Sequence, residues 1–143
     1  RAHYARYLVQ IGKVSNDGQA FKRYLGSGKS CFVKAEWVDI PTAIDTIHAA
    51  GGVAVIAHPM RYNMTGKWIR RLIVDFKQWG GDGMEVADSG QTKDQRQYLA
   101  RLANEYDLAA SLGSDFHFPC GWIELGKNLF LPEEVKPIWT LFE

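Results

Sequence analysis

Between Pro41 and Leu112 the chain alternates amphipathic helical stretches with short apolar runs, and nothing else in it limits the fold as much. Residues 53–57, 83–87 and 108–112 read as strands. Such continuous runs imply strands buried on both faces, as in a parallel sheet covered by helices. Pro41 starts a helix where its missing N–H costs nothing, Ala43, Ile44, Ile47 and Ala50 form the stripe, and Gly51 ends it. Thr65 is placed to cap a second helix to about residue 79, with Trp68, Ile69, Leu72, Ile73 and Phe76 inward and Gly80-Gly81 closing it. A third covers residues 92–107, with Leu99, Leu102, Ala103 and Tyr106 inward. The order αβαβαβ predicts an α/β fold with a parallel sheet, and three strands are too few to close a barrel.

The flanks have a different texture. Tyr4, Tyr7, Leu8 and Ile11 recur at helical spacing before Gly12, and Phe21, Tyr24 and Leu25 share a face of a second helix over residues 17–25. Residues 29–38 read as a loop or short extended piece. We therefore divide the chain into a helical segment, 1–38, and an α/β part, 39–143. At the other end, residues 122–130 predict an extended segment and 133–142 a terminal helix, with Pro132 near its start.

A length of 143 residues is enough for one domain with a core, and 46% hydrophobic residues exclude a disordered chain. Seventeen basic against sixteen acidic residues leave +1, so any contact with nucleic acid must be local to a site. No apolar run approaches the ~20 residues of a membrane span, and no signal peptide is seen. The chain opens on Arg1 rather than methionine, as a fragment would. Cys31 and Cys120 are its only cysteines, without a disulfide framework, which predicts reduced thiols and a cytoplasmic location. Cys120 reads as a small buried thiol or a pocket-lining one.

The chemistry gathers at predicted strand ends. Gly51-Gly52-Val53-Ala54-Val55-Ile56-Ala57-His58-Pro59 brings a histidine to the carboxyl end of a strand, where parallel α/β folds build active sites. Gly113-Ser114-Asp115-Phe116-His117 follows another strand, and alternation would send Asp115 and His117 to one face. Carboxylate and imidazole together suit Zn²⁺, Mn²⁺ or Fe. The D-x-H pair alone is a weak signal, and a loop aspartate beside a backbone-bonded histidine stays open for it. Arg61, on the loop after His58, has the planar fork that grips phosphate, with a surface ion pair as its alternative. Glu85, inside a buried strand, needs a partner: it orients a ligand or an arginine, or turns outward to a helix lysine. Lys67, Arg70 and Arg71 read as a solvated face. Trp68, Phe76 and Trp79 read as core or interface, and His48 as a structural residue near a helix C-terminus.

Ala57-His58-Pro59, Ser114-Asp115-Phe116-His117 and the Gly51-Gly52 lead-in, with Arg1-Ala2-His3-Tyr4-Ala5-Arg6, Met60-Arg61-Tyr62-Asn63 and Trp122-Ile123-Glu124-Leu125-Gly126, resemble the C-terminal part of the PHP family of metal-dependent phosphoesterases. The nearest branch is that of bacterial 5′-to-3′ exoribonucleases and nucleoside 3′,5′-bisphosphate phosphatases. The resemblance implies a distorted (β/α)₇ barrel in which residues 1–38 form a helical insertion over the active site. It further implies up to three divalent ions, usually manganese, with His58, Asp115 and His117 as metal ligands and catalytic residues. Arg61, Arg1 and His3 would bind a nucleotide or RNA 5′ end. The family's early His-x-His motif, with its accompanying ligands, has no counterpart here, and His3 and His48 do not match it. The implied partner is thus the missing N-terminal half of the barrel, without which the chain should be inactive. Two other classes remain: an amidohydrolase-type metal hydrolase, which a bridging lysine at a strand end would favour, and a non-catalytic half-barrel that binds as a subunit.

Overall fold

The computed structural model describes residues 1–117, 119, 121 and 123–142. They form two compact units, Arg1–Trp37 and Val38–Glu143.

In the first unit, α1 (Ala2–Gln10) packs on α2 (Asp17–Ala20), which continues into a π-helical turn over Phe21–Leu25. Asn16 caps α2 by accepting from the Gln19 N–H at 2.9 Å. Ala5, Val14, Ala20 and Leu25 are the core, with Leu8, Val9 and Tyr24 against it. The packed face of α1 is thus Ala5, Leu8 and Val9, while Tyr4, Tyr7 and Ile11 are exposed. Small Ala5 at the contact lets two short helices approach closely, which a tyrosine stripe would not.

The second unit runs α3 (Ile40–Ala49), β1 (Val55–Ile56), a 3₁₀ turn (Pro59–Arg61), α4 (Gly66–Gln78), β2 (Gly83–Asp88), α5 (Lys93–Glu105), β3 (Ala109–Gly113) and a 3₁₀ turn (Ile138–Leu141). The strands lie in the order β1-β2-β3, all parallel. All of β2 is buried. Ile44, Ile56, Ile69, Ile73, Phe76, Met84, Val86, Leu99 and Leu102 join in one core, each contributing about 1.5–3 kcal/mol if fully removed from water.

Several boundaries differ from the sequence expectation, each for a local reason. Helix α3 starts one residue before Pro41, because Asp39 caps it by accepting from the Thr42 N–H at 2.8 Å. Thr65 stands at the start of α4 but makes no capping bond. Thr92 and Gln95 instead form a reciprocal capping box at α5, with bonds of 3.2 and 3.0 Å. β1 shrinks to two residues because the Ala54 N–H is taken by the Asp82 carboxylate rather than a ladder carbonyl. Trp68 is 63% and Trp79 40% exposed, since Ile69, Ile73 and Phe76 fill the inward stripe and Trp68 is rotated by about 100° from it.

Neither the extended segment over 122–130 nor the helix over 133–142 is found among the described residues. Residues 125–128 turn, and residues before Pro137 lie beside β3, with the Ala110 N–H donating to the Lys136 carbonyl at 2.7 Å. Pro137 has no N–H and keeps Lys136 out of the helical region, so only the 3₁₀ turn follows. The expectations for Cys120 and Trp122 fall outside the described residues. Among the described residues no helix is long and apolar enough to cross a membrane.

Candidate active site

Three loops leave the carboxyl ends of the parallel strands, and they bring together His58, Arg61, Glu85, Asp88 and Asp115. His58 takes left-handed backbone angles, φ 35° and ψ 54°, just before buried Pro59. A residue with a Cβ pays roughly 1–2 kcal/mol for that conformation. The Glu85 carboxylate helps hold it, accepting from the His58 N–H at 2.6 Å. The imidazole meets the Tyr62 ring edge-on at 5.8 Å, and Tyr62 is fixed by donating its hydroxyl to the Ala57 carbonyl. The ring's Nδ1 is buried and has no hydrogen-bond partner.

Glu85 is buried between the three strand ends and faces inward, so the lysine pairing is not adopted. Burial pushes its carboxyl group above the ordinary range. The His58 N–H opposes that shift, and the Asp88 and Asp115 charges add to it. A Cβ at Gly113 would come within 2.8 Å of Glu85 Oε1, so a larger residue here would push the carboxylate from its present position. The same carboxylate, after burial itself, raises the Tyr62 phenol.

Arg61 bridges the two remaining acids. Its Nε lies 3.4 Å from Asp88 Oδ2, and its Nη1 bonds the Asp115 carboxylate. Burial pulls the guanidinium down, but the two carboxylates outweigh it and hold the group above its usual value. Asp88 is only 3% exposed at its side chain against 39% for Arg61, so the buried acid depends on the partner more than the partner depends on it. Asp88 also accepts from the Gly90 N–H at 2.6 Å. Sequence reasoning passed over Asp88. Its position at the end of the buried run, directly before Ser89-Gly90, obeys the strand-end rule that found His58.

β3 stops at Gly113 and Asp115 is itself left-handed, φ 54°, so strand alternation does not extend to the D-x-H pair. His117 is 72% exposed and donates from Nδ1 to the Asp115 carbonyl at 2.7 Å. Arg1 and His3 lie in the first unit: the Arg1 guanidinium sits 5.0 Å over the Phe32 ring, and His3 is exposed on α1. His48 Nε2 pairs with Asp82 Oδ2 at 2.8 Å.

The unpartnered His58 Nδ1 and the neighbouring carboxylates are the donor types that divalent ions take. Among the described residues, however, no three His, Cys, Asp or Glu side chains converge closely enough to hold an ion. The donors present fit a share of a metal site, not a whole one.

These side chains stand at the strand ends of a mixed helix/sheet fold. Two solved structures share the fold: one described as an amidohydrolase from Chromobacterium violaceum (TM-score 0.76, 42% identity, 96% of this chain and 48% of that one), the other as a metal-dependent phosphoesterase from Bifidobacterium adolescentis (TM-score 0.71, 27% identity, 98% and 49%). The particular relatives are sharper. The chain is 81% identical over 142 residues to a 5′-3′ exoribonuclease of Haemophilus influenzae, covering 99% of this chain and 52% of that protein. It is 50% identical to the 5′-3′ exoribonuclease Rnm of Escherichia coli, covering 100% and 49%. It is 42% identical to a 3′,5′-nucleoside bisphosphate phosphatase of Chromobacterium violaceum, covering 100% and 50%. The chain therefore spans about half the length of the curated relatives it matches. These relatives fit the PHP family of metal-dependent phosphoesterases, which the motifs around His58 and Asp115 resemble. No protein-family model matches the chain.

Proposed function

We propose that this chain is the carboxyl-terminal half of a cytoplasmic phosphoesterase that hydrolyses phosphate esters of nucleotides or RNA 5′ ends. In this reading the whole protein is a distorted (β/α)₇ PHP barrel, with residues 1–38 as a helical insertion. The observation that carries it is the meeting of His58, Arg61, Glu85, Asp88 and Asp115 at the carboxyl ends of three parallel strands, in a chain similar to half of an exoribonuclease.

His58, Asp115 and His117 are the residues that would hold divalent metal, manganese in this reading, and the missing half would supply the other ligands. When bound, the metal lowers the pKa of water and polarises phosphoryl oxygens. The chain's own residues do the rest. Arg61 presents a fork that can take two phosphate oxygens in place of Asp115. Asp88 keeps that guanidinium aimed, and Glu85 fixes the His58 backbone. Arg1 and His3 are assigned to the phosphate or sugar of the nucleotide.

The test is Mn²⁺-stimulated phosphate release from adenosine 3′,5′-bisphosphate, measured on the chain alone and joined to an amino-terminal half of the kind its relatives carry. Activity is expected only in the joined protein, and His58→Ala or Asp115→Ala should lower it by about 10²-fold or more. Joined protein that binds metal and releases no phosphate overturns the reading. The amidohydrolase alternative draws on one structural neighbour's description. Against it, Ala57-His58, Ser89-Gly90 and Ser114-Asp115, the residues just beyond the strands, include no lysine to bridge two metals.

A further inference from the structure

Asp88 faces two ways. Its side chain meets Arg61, while its carbonyl accepts from Nη2 of Arg96 on α5 at 3.0 Å. Arg96 is only 4% exposed. Its Nη2 also donates to the Asn128 carbonyl at 3.2 Å, and its guanidinium carbon lies 3.9 Å from the Phe130 ring centroid. Two carbonyls and a ring orient a cation without neutralising it, and a buried charge ordinarily has a counter-ion. Among the described residues no carboxylate takes that part for Arg96. Its Nε has no partner, and neither has the buried Nε2 of Gln91.

Both residues line a cavity of about 460 Å³, together with Lys93, Gln97, Asn128 and Phe130. Its polar lining residues all carry side-chain donors, Phe130 and Pro132 supply an apolar wall, and no Asp or Glu is part of it. The cavity touches the first turn of the thirteen-residue α5, whose dipole favours an anion, although the capping box takes the Gln95 N–H and Asp94 stands in that turn. Gln91 also lines a smaller recess with Arg61 and Asp88, so the two hollows are neighbours across one side chain.

We propose that this cavity is an oxyanion site that takes a phosphate group of a nucleotide chain, held by Arg96, Gln91 and Lys93. It is separate from the phosphate position at Arg61, and its assignment to a nucleotide chain rests on the phosphoesterase reading. A mononucleotide would need only the Arg61 side. A longer RNA would place a second phosphate here.

The experiment uses metal-free protein, so that its outcome is independent of turnover. The Nε–Hε resonance of Arg96, assigned through its backbone connection, is followed by NMR during titration with inorganic phosphate and with a 5′-phosphorylated triribonucleotide. Saturable shifts with both probes are expected, and Gln97→Glu, which puts a carboxylate on the cavity wall, should weaken both about ten-fold. A resonance that ignores phosphate throughout the millimolar range overturns the site, as does a response that Gln97→Glu leaves unchanged. Response to phosphate but not to the trinucleotide overturns the nucleotide assignment. The same titration on the joined protein separates the other source of this chemistry: loss of the response there means that a carboxylate of the added half fills the cavity.

Discussion

The two ends of the sheet are built by different rules. At the amino end two left-handed positions are glycines, Gly51 at φ 75° and Gly80 at φ 94°, with exposed Asp107 at φ 49° as the third, and Asp82 Oδ2 is shared between the Ala54 N–H at 2.7 Å and His48 at 2.8 Å. At the carboxyl end the left-handed residues are His58 and Asp115, and His58 Nδ1 is buried without a partner. The first end confines its non-glycine strain to one exposed residue and pairs its charges, Asp82 with His48 and Asp107 with Lys77. The second keeps strain and unspent hydrogen-bonding capacity, as functional ends of parallel sheets do.

The largest test of this contrast is at the amino end. A Cβ at Gly83 would meet the Ala109 carbonyl oxygen at 2.7 Å and Ile138 at 2.6 Å. Because the first obstacle is backbone of the next strand, Gly83→Ala should cost about 3 kcal/mol in urea unfolding. A cost under 1 kcal/mol would mean that the ladder is looser there than described.

At the carboxyl end, Asp88→Ala should cost about 1–2 kcal/mol, since Arg61 retains only its more exposed partner and the Gly90 N–H loses its acceptor. The expected companion result is weaker phosphate binding, because Arg61 is no longer aimed. Unchanged binding would remove Asp88 from the site.

Smaller still is a difference between two variants at one position. Asp115→Ala and Asp115→Gly lose the same pairing with Arg61, but only alanine keeps a Cβ at φ 54°. The glycine variant should be the more stable by about 1 kcal/mol. Equal stabilities would show that Asp115 carries no backbone strain.

The least effect is expected away from both ends, at Asp39→Ala. Hydrogen bonding by Thr42, side chain and backbone, holds the Asp39 carboxyl below its ordinary value. Its contribution to stability is therefore present above the usual carboxylate range and lost as pH falls through the lowered folded value. The variant should lose that part of the acid dependence in unfolding curves recorded at several pH values. A variant with the wild-type pH profile would exclude the cap as its source.

Much of the α/β order was legible because burial writes period into the chain. Leu99, Leu102 and Ala103 on α5 are spaced as a helix face, and all three are buried. The runs that became β2 and β3 have no competing helical period. Trp68 misled because residue type was weighted over angle, and the tail because Pro137 outweighs the apolar residues around it. At the site, His58 and Arg61 were visible as loop residues after a strand. Their partners were not: which carboxylate faces Arg61 depends on loops that β2 brings together across the sheet, from residues 54 positions apart in the chain. Arg96 carries no sequence signal of its own, since nothing local announces that its neighbours withhold a carboxylate.

The pairing of β2 with β3 slips once: Glu85 lies opposite Ser111 and Ala87 opposite Leu112, leaving Val86 as an extra residue. In an unbroken strand, side chains three apart point to opposite faces. The slip lets Glu85 and Asp88 both address the His58–Arg61 loop. The site is therefore a matter of parity as well as composition. Deleting Val86 would leave the two carboxylates two positions apart in a regular ladder, where alternation again sends both to one face. A sheet that borrows these acids must borrow the spacing with the slip: three apart with the extra residue, or two apart without it.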